Sequence, residues 1–161
     1  MTTTKTARLD YSTLAPDVLR AMYAASAPLK SSSLGEELLE LCRLRASQIN
    51  GCVTCVDLHA RTLRAAGADT SKVDLVAVWR EASVFTERER AALGWTEALT
   101  RLSSGDADDA SYAALAAVFN PREQIELTHN AGLINMYNRL NVAFRTPALG
   151  KTVAELTGAA R

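Results

Sequence analysis

The chain has 161 residues, and 18 Lys and Arg against 18 Asp and Glu leave a formal net charge of zero. That length suits one domain with a core of its own, and 48% apolar with 22% charged residues is an ordinary globular composition. Neutrality argues against nucleic acid, which needs a basic surface, and against an anionic membrane, and no apolar run approaches the ~18–20 residues that span a bilayer.

The pattern reads as helices throughout, because Ala and Leu dominate and strand-like alternation of Val, Ile and Thr is scarce. A first helix is predicted from about Pro16 to Ala25, ending before Pro28. Ser33 with Glu36 reads as a capping box opening a second, whose Leu34, Leu38, Leu41, Cys42 and Ile49 fall at helical spacing. Asn50-Gly51 breaks it, since both residues tolerate left-handed geometry. A third helix runs from near Cys52 to Ala66, with Gly67 as its stop. A short fourth covers about Lys72 to Ala82. Thr86 and Glu89 form a second capping box, behind which Ala92, Trp95, Leu99 and Leu102 make one apolar stripe. Asp106 is expected to cap a sixth helix reaching Phe119. Asn120-Pro121-Arg122-Glu123 is a strong start for a seventh, with Leu133, Tyr137, Leu140 and Phe144 in register and Pro147 and Gly150 as its end. The tail from Lys151 to Arg161 has room for another turn or two. The expected fold is all-α, a single domain of about seven helices with short antiparallel connections.

Three cysteines, Cys42, Cys52 and Cys55, are not a secreted disulfide framework. The polar start of the chain lacks the apolar segment of a secretion signal, which points to the cytoplasm, where a Cys-x-x-Cys pair suggests redox chemistry or half a metal site.

Cys52, Cys55 and His59 sit at i, i+3 and i+7, which at ~100° per residue gathers them on one helix face. The cysteines occupy the first turn, where unpaired N–H groups and the positive end of the helix dipole favour a thiolate. His59, one turn deeper, is placed to take the proton directly or through a water, and Glu40 on the preceding helix to fix its tautomer or act as the base itself. Blander readings stand beside this one. The cysteines could be two small core residues, or with His59 and Glu40 they could make a zinc site. Cys42 reads as a buried small hydrophobe, His129 as structural, and Trp79 and Trp95 as core or interface residues. Arg80 is expected to pair with Glu81 or with a neighbour's acid. Asn135, Asn138 and Asn141 share one face and read as structural rather than catalytic.

Glu40-x11-Cys52-Val53-Thr54-Cys55-x3-His59 resembles the active-site signature of the AhpD-like alkylhydroperoxidases of the carboxymuconolactone decarboxylase superfamily. The segments Gln48–Gly51, Trp79–Glu81, Phe85–Thr100 and Ile134–Asn141 resemble the compact one-domain members, so the likeness covers about residues 15–145. The resemblance implies a thiol-dependent peroxidase, an antioxidant oxidoreductase, with Cys55 as the peroxide-attacking thiol, Cys52 as the partner that closes an internal disulfide, and His59 and Glu40 as the proton relay. It also implies an external dithiol as reductant and a closed homo-oligomer, a hexamer rather than a trimer. Neither a metal nor an organic cofactor is called for. Thr54 stands where some members carry histidine. The alternatives are a disulfide reductase or electron adaptor for a partner protein, and a non-catalytic helical oligomer.

Overall fold

A computed structural model describes residues 6–149. Among them the chain forms eight α-helices and no strand: α1 (Tyr11–Leu14), α2 (Pro16–Ser26), α3 (Glu36–Ile49), α4 (Val53–Ala65), α5 (Thr70–Leu75), α6 (Glu87–Thr100), α7 (Asp109–Ala116) and α8 (Pro121–Phe144). Short 3₁₀ turns follow α2, α5 and α6. The all-α expectation holds, with one helix more than expected. The addition is the single turn α1, capped by Asp10, whose carboxylate accepts the Ser12 N–H at 3.0 Å.

α3 is the centre of the molecule and packs against α4, α6 and α8. Its Leu39, Leu41 and Leu44 are fully buried together with Leu63, Leu93 and Leu127 of those three helices, each worth about 1.5–3 kcal/mol over exposure. A helix covered on nearly every side must satisfy its polar side chains from its neighbours. That requirement shapes the surroundings of Glu40, Ser47 and Arg43. A smaller packet of Ala46, Cys52, Cys55 and Ile134, with Tyr137 against it, lies where α3, α4 and α8 meet.

Two predicted capping boxes form as expected, at Thr86 with Glu89 and at Asn120 with Glu123. The third does not. α3 starts at Glu36 behind Gly35, with no side-chain cap, because the Ser33 hydroxyl donates to Glu123 and the Ser32 hydroxyl to Glu126. Contacts to α8 have taken the local capping groups. α2 ends at Ser26 as expected, but Pro28 sits inside a 3₁₀ turn rather than past a break. Gly51 alone takes the positive φ (64°) that turns α3 into α4, while Asn50 stays right-handed. The fourth predicted helix is shorter, α5 giving way to a 3₁₀ turn before Trp79. α7 is capped by Asp108, not Asp106, and stops at Ala116. α8 ends before Pro147, at the left-handed Arg145. The expected turns of residues 151–161 lie outside the described residues.

Candidate active site

The turn at Asn50-Gly51-Cys52 folds α4 back along α3, and this hairpin carries the four residues singled out from the sequence. Cys52 is the N-cap of α4, its sulfur accepting the Cys55 backbone N–H at 3.4 Å. Its thiol donates to Cys55 Sγ across 2.6 Å, and both are free cysteines. The Cys52 thiol and the Asn141 and Asn138 amides hydrogen-bond to Cys55, and the charge of His59 adds to them. Together they outweigh burial and hold the Cys55 thiol down at about 6. Cys52 keeps its own proton: its bond to Cys55, burial and the neighbouring charge push the Cys52 thiol up. Of the two, Cys55 is therefore the thiolate.

His59 lies one turn further along α4 and is buried. Its Nδ1 is 2.7 Å from Glu40 Oε2. The other Glu40 oxygen accepts from Arg43, which also donates to Glu36 and, through Nε, to Asn130 Oδ1 at 2.8 Å. Burial raises the Glu40 carboxyl, but His59 and Arg43 more than offset it and keep it below the usual carboxylate range. An ionised carboxylate only accepts, so His59 Nδ1 carries the proton and Nε2 is the basic nitrogen. His59 and Cys55 make no direct hydrogen bond among the described residues. They share the wall of one cavity of about 400 Å³, lined by apolar and aromatic side chains, Leu58, Leu133 and Tyr137 among them, and by polar and charged ones that include Lys30, Glu36 and Arg43.

Some expectations are corrected here. Among the described residues no group of three or more His, Cys, Asp or Glu is placed to hold a metal ion, so the zinc reading is not supported. Thr54 does not reach a sulfur: its hydroxyl is taken by the carbonyl oxygens of Thr146 and Pro147, at 2.6 and 2.8 Å. Arg80 pairs with Glu97 rather than with Glu81, and Arg45, Arg101 and the Trp79 indole donate to the same carboxylate. His129 is structural, its Nε2 bonded to the Ala25 carbonyl at 2.7 Å. Cys42 is fully buried, and burial pushes its thiol up to about 11.

The sequence reading undervalued Asn141, whose amide nitrogen lies 3.3 Å from Cys55 Sγ. The three-residue spacing of the asparagines was the available signal. Asn138 also belongs to the site; its amide donates to Ser47 and its carbonyl accepts from Asn50, which ties α8 to the α3–α4 turn. Tyr11, which donates to Asn141, had no signal at all.

Residues 16–98 match the model of the carboxymuconolactone decarboxylase family. The chain is 28% identical to the uncharacterized protein YdfG of Bacillus subtilis, over 89% of this chain and 98% of that one. It is 33% identical to the uncharacterized protein YnjA of Escherichia coli, over 82% of this chain and 72% of that one. Among solved structures, ATU0492 of Agrobacterium tumefaciens superimposes with a TM-score of 0.86 at 37% identity, covering 91% of this chain and 100% of that one; it is a protein of unknown function with a suggested place in antioxidant defence as an AhpD. With its motif, its helical fold and these relatives, the chain belongs to the carboxymuconolactone decarboxylase family, as an AhpD-like member.

Proposed function

We propose that the protein is a thiol-dependent peroxidase whose reactive centre is Cys55, with Cys52, His59 and Glu40 in support. The carrying observation is the asymmetric pair: one thiol held down at about 6 beside one pushed up, next to a histidine oriented by a buried carboxylate. The Cys55 thiolate attacks the distal oxygen of a hydroperoxide. The S–O bond forms, the O–O bond breaks, the sulfur loses two electrons and the leaving alkoxide takes the proton that His59 Nε2 accepted when Cys55 ionised. The Cys52 thiol then attacks the sulfenic acid, the disulfide closes and water leaves. An external dithiol returns two electrons and two protons. The cavity, of a size usual for small-molecule sites and with Leu19, Leu58, Leu133, Ile134 and Tyr137 in its wall, favours an organic hydroperoxide over hydrogen peroxide.

Exposed Leu102, Tyr112, Ile125 and Val78 support a homo-oligomer; a hexamer rather than a trimer is what the resemblance to compact one-domain relatives adds. Light scattering checks it; a mass near the 17.3 kDa of one chain rules it out. For the chemistry, the test is thiol counting. One equivalent of cumene hydroperoxide should consume two thiols, with peptide mapping placing the disulfide at Cys52–Cys55, and dithiothreitol should sustain turnover. Oxidation of Cys42 first, with the pair intact, overturns the assignment.

A further inference from the structure

We infer that Asn141 and Tyr11 complete the thiol site: the Asn141 amide stabilises Cys55 as a thiolate, and the Tyr11 hydroxyl holds that amide in the one orientation that can do so. This rests on Cys55 being the reactive thiol.

Two hydrogen bonds make the case. Asn141 Nδ2 donates to Cys55 Sγ at 3.3 Å, and Asn141 Oδ1 accepts from the Tyr11 hydroxyl at 3.0 Å. An amide facing a sulfur has two choices. Its N–H favours the thiolate, which only accepts, whereas its carbonyl favours the thiol, which can donate. The two differ by a rotation about the last bond of a buried side chain. Flipping the amide would bring its N–H to Tyr11 and leave the phenol proton without an acceptor, which costs the most where water is scarce. Tyr11 thus sets the rotation. Burial and the nearby Cys55 charge raise its phenol, so it stays protonated and able to donate.

Tyr11 is itself held. Arg8 N–H donates to the Phe144 carbonyl at 2.8 Å, the Arg8 guanidinium to the Ala143 carbonyl, and the Tyr11 ring leans on Phe144 at 6.1 Å. The arm ahead of α2 is therefore fastened to the last turn of α8, the turn that carries Asn141. Other titratable groups near Cys55 are Cys52 on its own helix start and His59 one turn on, backed by Glu40 from α3; α8 faces it with the amides of Asn138 and Asn141 and with Tyr137, whose phenol burial keeps protonated. Asn141 touches the reacting atom, and Tyr11 is a positioning residue acting through it.

The test reads the pH dependence of iodoacetamide alkylation at Cys55 in the reduced full chain, mapped by mass spectrometry, without any peroxide. Asn141→Ala should raise the midpoint by about one unit, a tenfold slower reaction below it, and Tyr11→Phe should slow it about threefold. Because Tyr11 acts through Asn141, the double variant should be no slower than Asn141→Ala alone. An unchanged midpoint in either single variant, or effects that multiply in the double one, overturns the inference. If Asn141→Ala does not fold, Tyr11→Phe, which removes one oxygen, decides by itself. In the unaltered chain, Cys42 alkylating before Cys55 overturns the inference together with the reading beneath it. Absence of peroxide turnover with a normal Cys55 titration removes the proposed reaction and leaves this inference standing.

Discussion

Two buried carboxylates, one on α3 and one on the neighbouring α6, are used differently. Glu97 on α6 is 1% exposed and receives Arg45, Arg80, Arg101 and the Trp79 indole. Glu40 on α3 is 5% exposed and gives one oxygen to Arg43 and the other to His59. Both are held ionised below the usual carboxylate range, because each has enough donors to outweigh its burial. The difference lies in the donors. Arginine never gives up its proton at accessible pH, so the Glu97 cluster has one charge state and serves as a clasp between α3, α6 and the segment at Trp79. Histidine does exchange its proton. Glu40 therefore orients a group able to take up and hand on a proton, on the wall of a cavity that also holds Cys55.

The largest expected effect separates the two by stability. Glu97→Ala leaves Arg45 and the Trp79 N–H buried without their acceptor, and removing one side of a buried pair costs about 3–5 kcal/mol. Glu40→Ala should cost less, because Arg43 keeps Glu36 and Asn130. Denaturant midpoints in the two variants check the ranking; an equal loss would mean that Glu40 too is chiefly a clasp.

The next effect separates them by rate. His59→Ala and Glu40→Ala should each slow peroxide reduction by about 10²-fold, the usual worth of a positioned base. Any folded variant at Glu97 should keep its rate at saturating peroxide. Unchanged rate-against-pH profiles at both His59 and Glu40 would show that the helix start and the α8 amides activate the thiol without a relay.

Legibility in the sequence follows the same division. Cys52, Cys55 and His59 could be read because helical spacing alone puts them on one face, and Glu40 because a tight turn folds its helix onto theirs. Of the Glu97 cluster only Arg101, four residues on at the end of the same helix, is local: Arg45 and Arg80 reach it from other segments, and nothing local pairs Arg80 with Glu97 rather than with Glu81. Asn141 and Tyr11 meet across 130 residues of chain. The same physics explains the failed cap at Ser33. A hydroxyl at a helix start has a local acceptor role to play, but the Glu123 and Glu126 carboxylates of α8 are stronger partners once tertiary contacts form. Composition and periodicity gave the helices. The choice of donor for each buried polar group was made by packing.

Acidity gives a third contrast. Cys55 is depressed to about 6, so its thiolate is present above that pH and lost as the pH falls through it. Alkylation of Cys55 should therefore reach half its maximum rate near pH 6, whereas Cys42, raised to about 11, should stay unreactive across the neutral range. For the carboxylates the sign is the same but the window is lower. A depressed acid stabilises the fold above its unfolded value of ~4.3, and that stabilisation is lost as pH falls through the folded one. Thermal stability should thus fall steeply only below about pH 4, and Glu97→Ala, lacking one such group, should fall less.

The smallest expected effect concerns Thr54, which stands between the two cysteines and lines the same cavity but gives its hydroxyl to neither sulfur. Its hydroxyl is bound to the Thr146 and Pro147 carbonyls, and on the same helix the Asp57 carboxylate accepts the Leu149 N–H at 3.0 Å. These bonds fix the segment after α8 across the start of α4. Thr54→Val keeps the shape and removes the hydroxyl, so it should cost about 1 kcal/mol of stability, the net worth of one such hydrogen bond. The Cys55 alkylation midpoint should not move, because the sulfur's donors are Cys52, Asn138 and Asn141 rather than Thr54. A midpoint that rises in Thr54→Val would join this segment to the Glu40 side of the comparison, as a part of the thiol site. A midpoint that stays while stability drops leaves it on the Glu97 side, as a fastening.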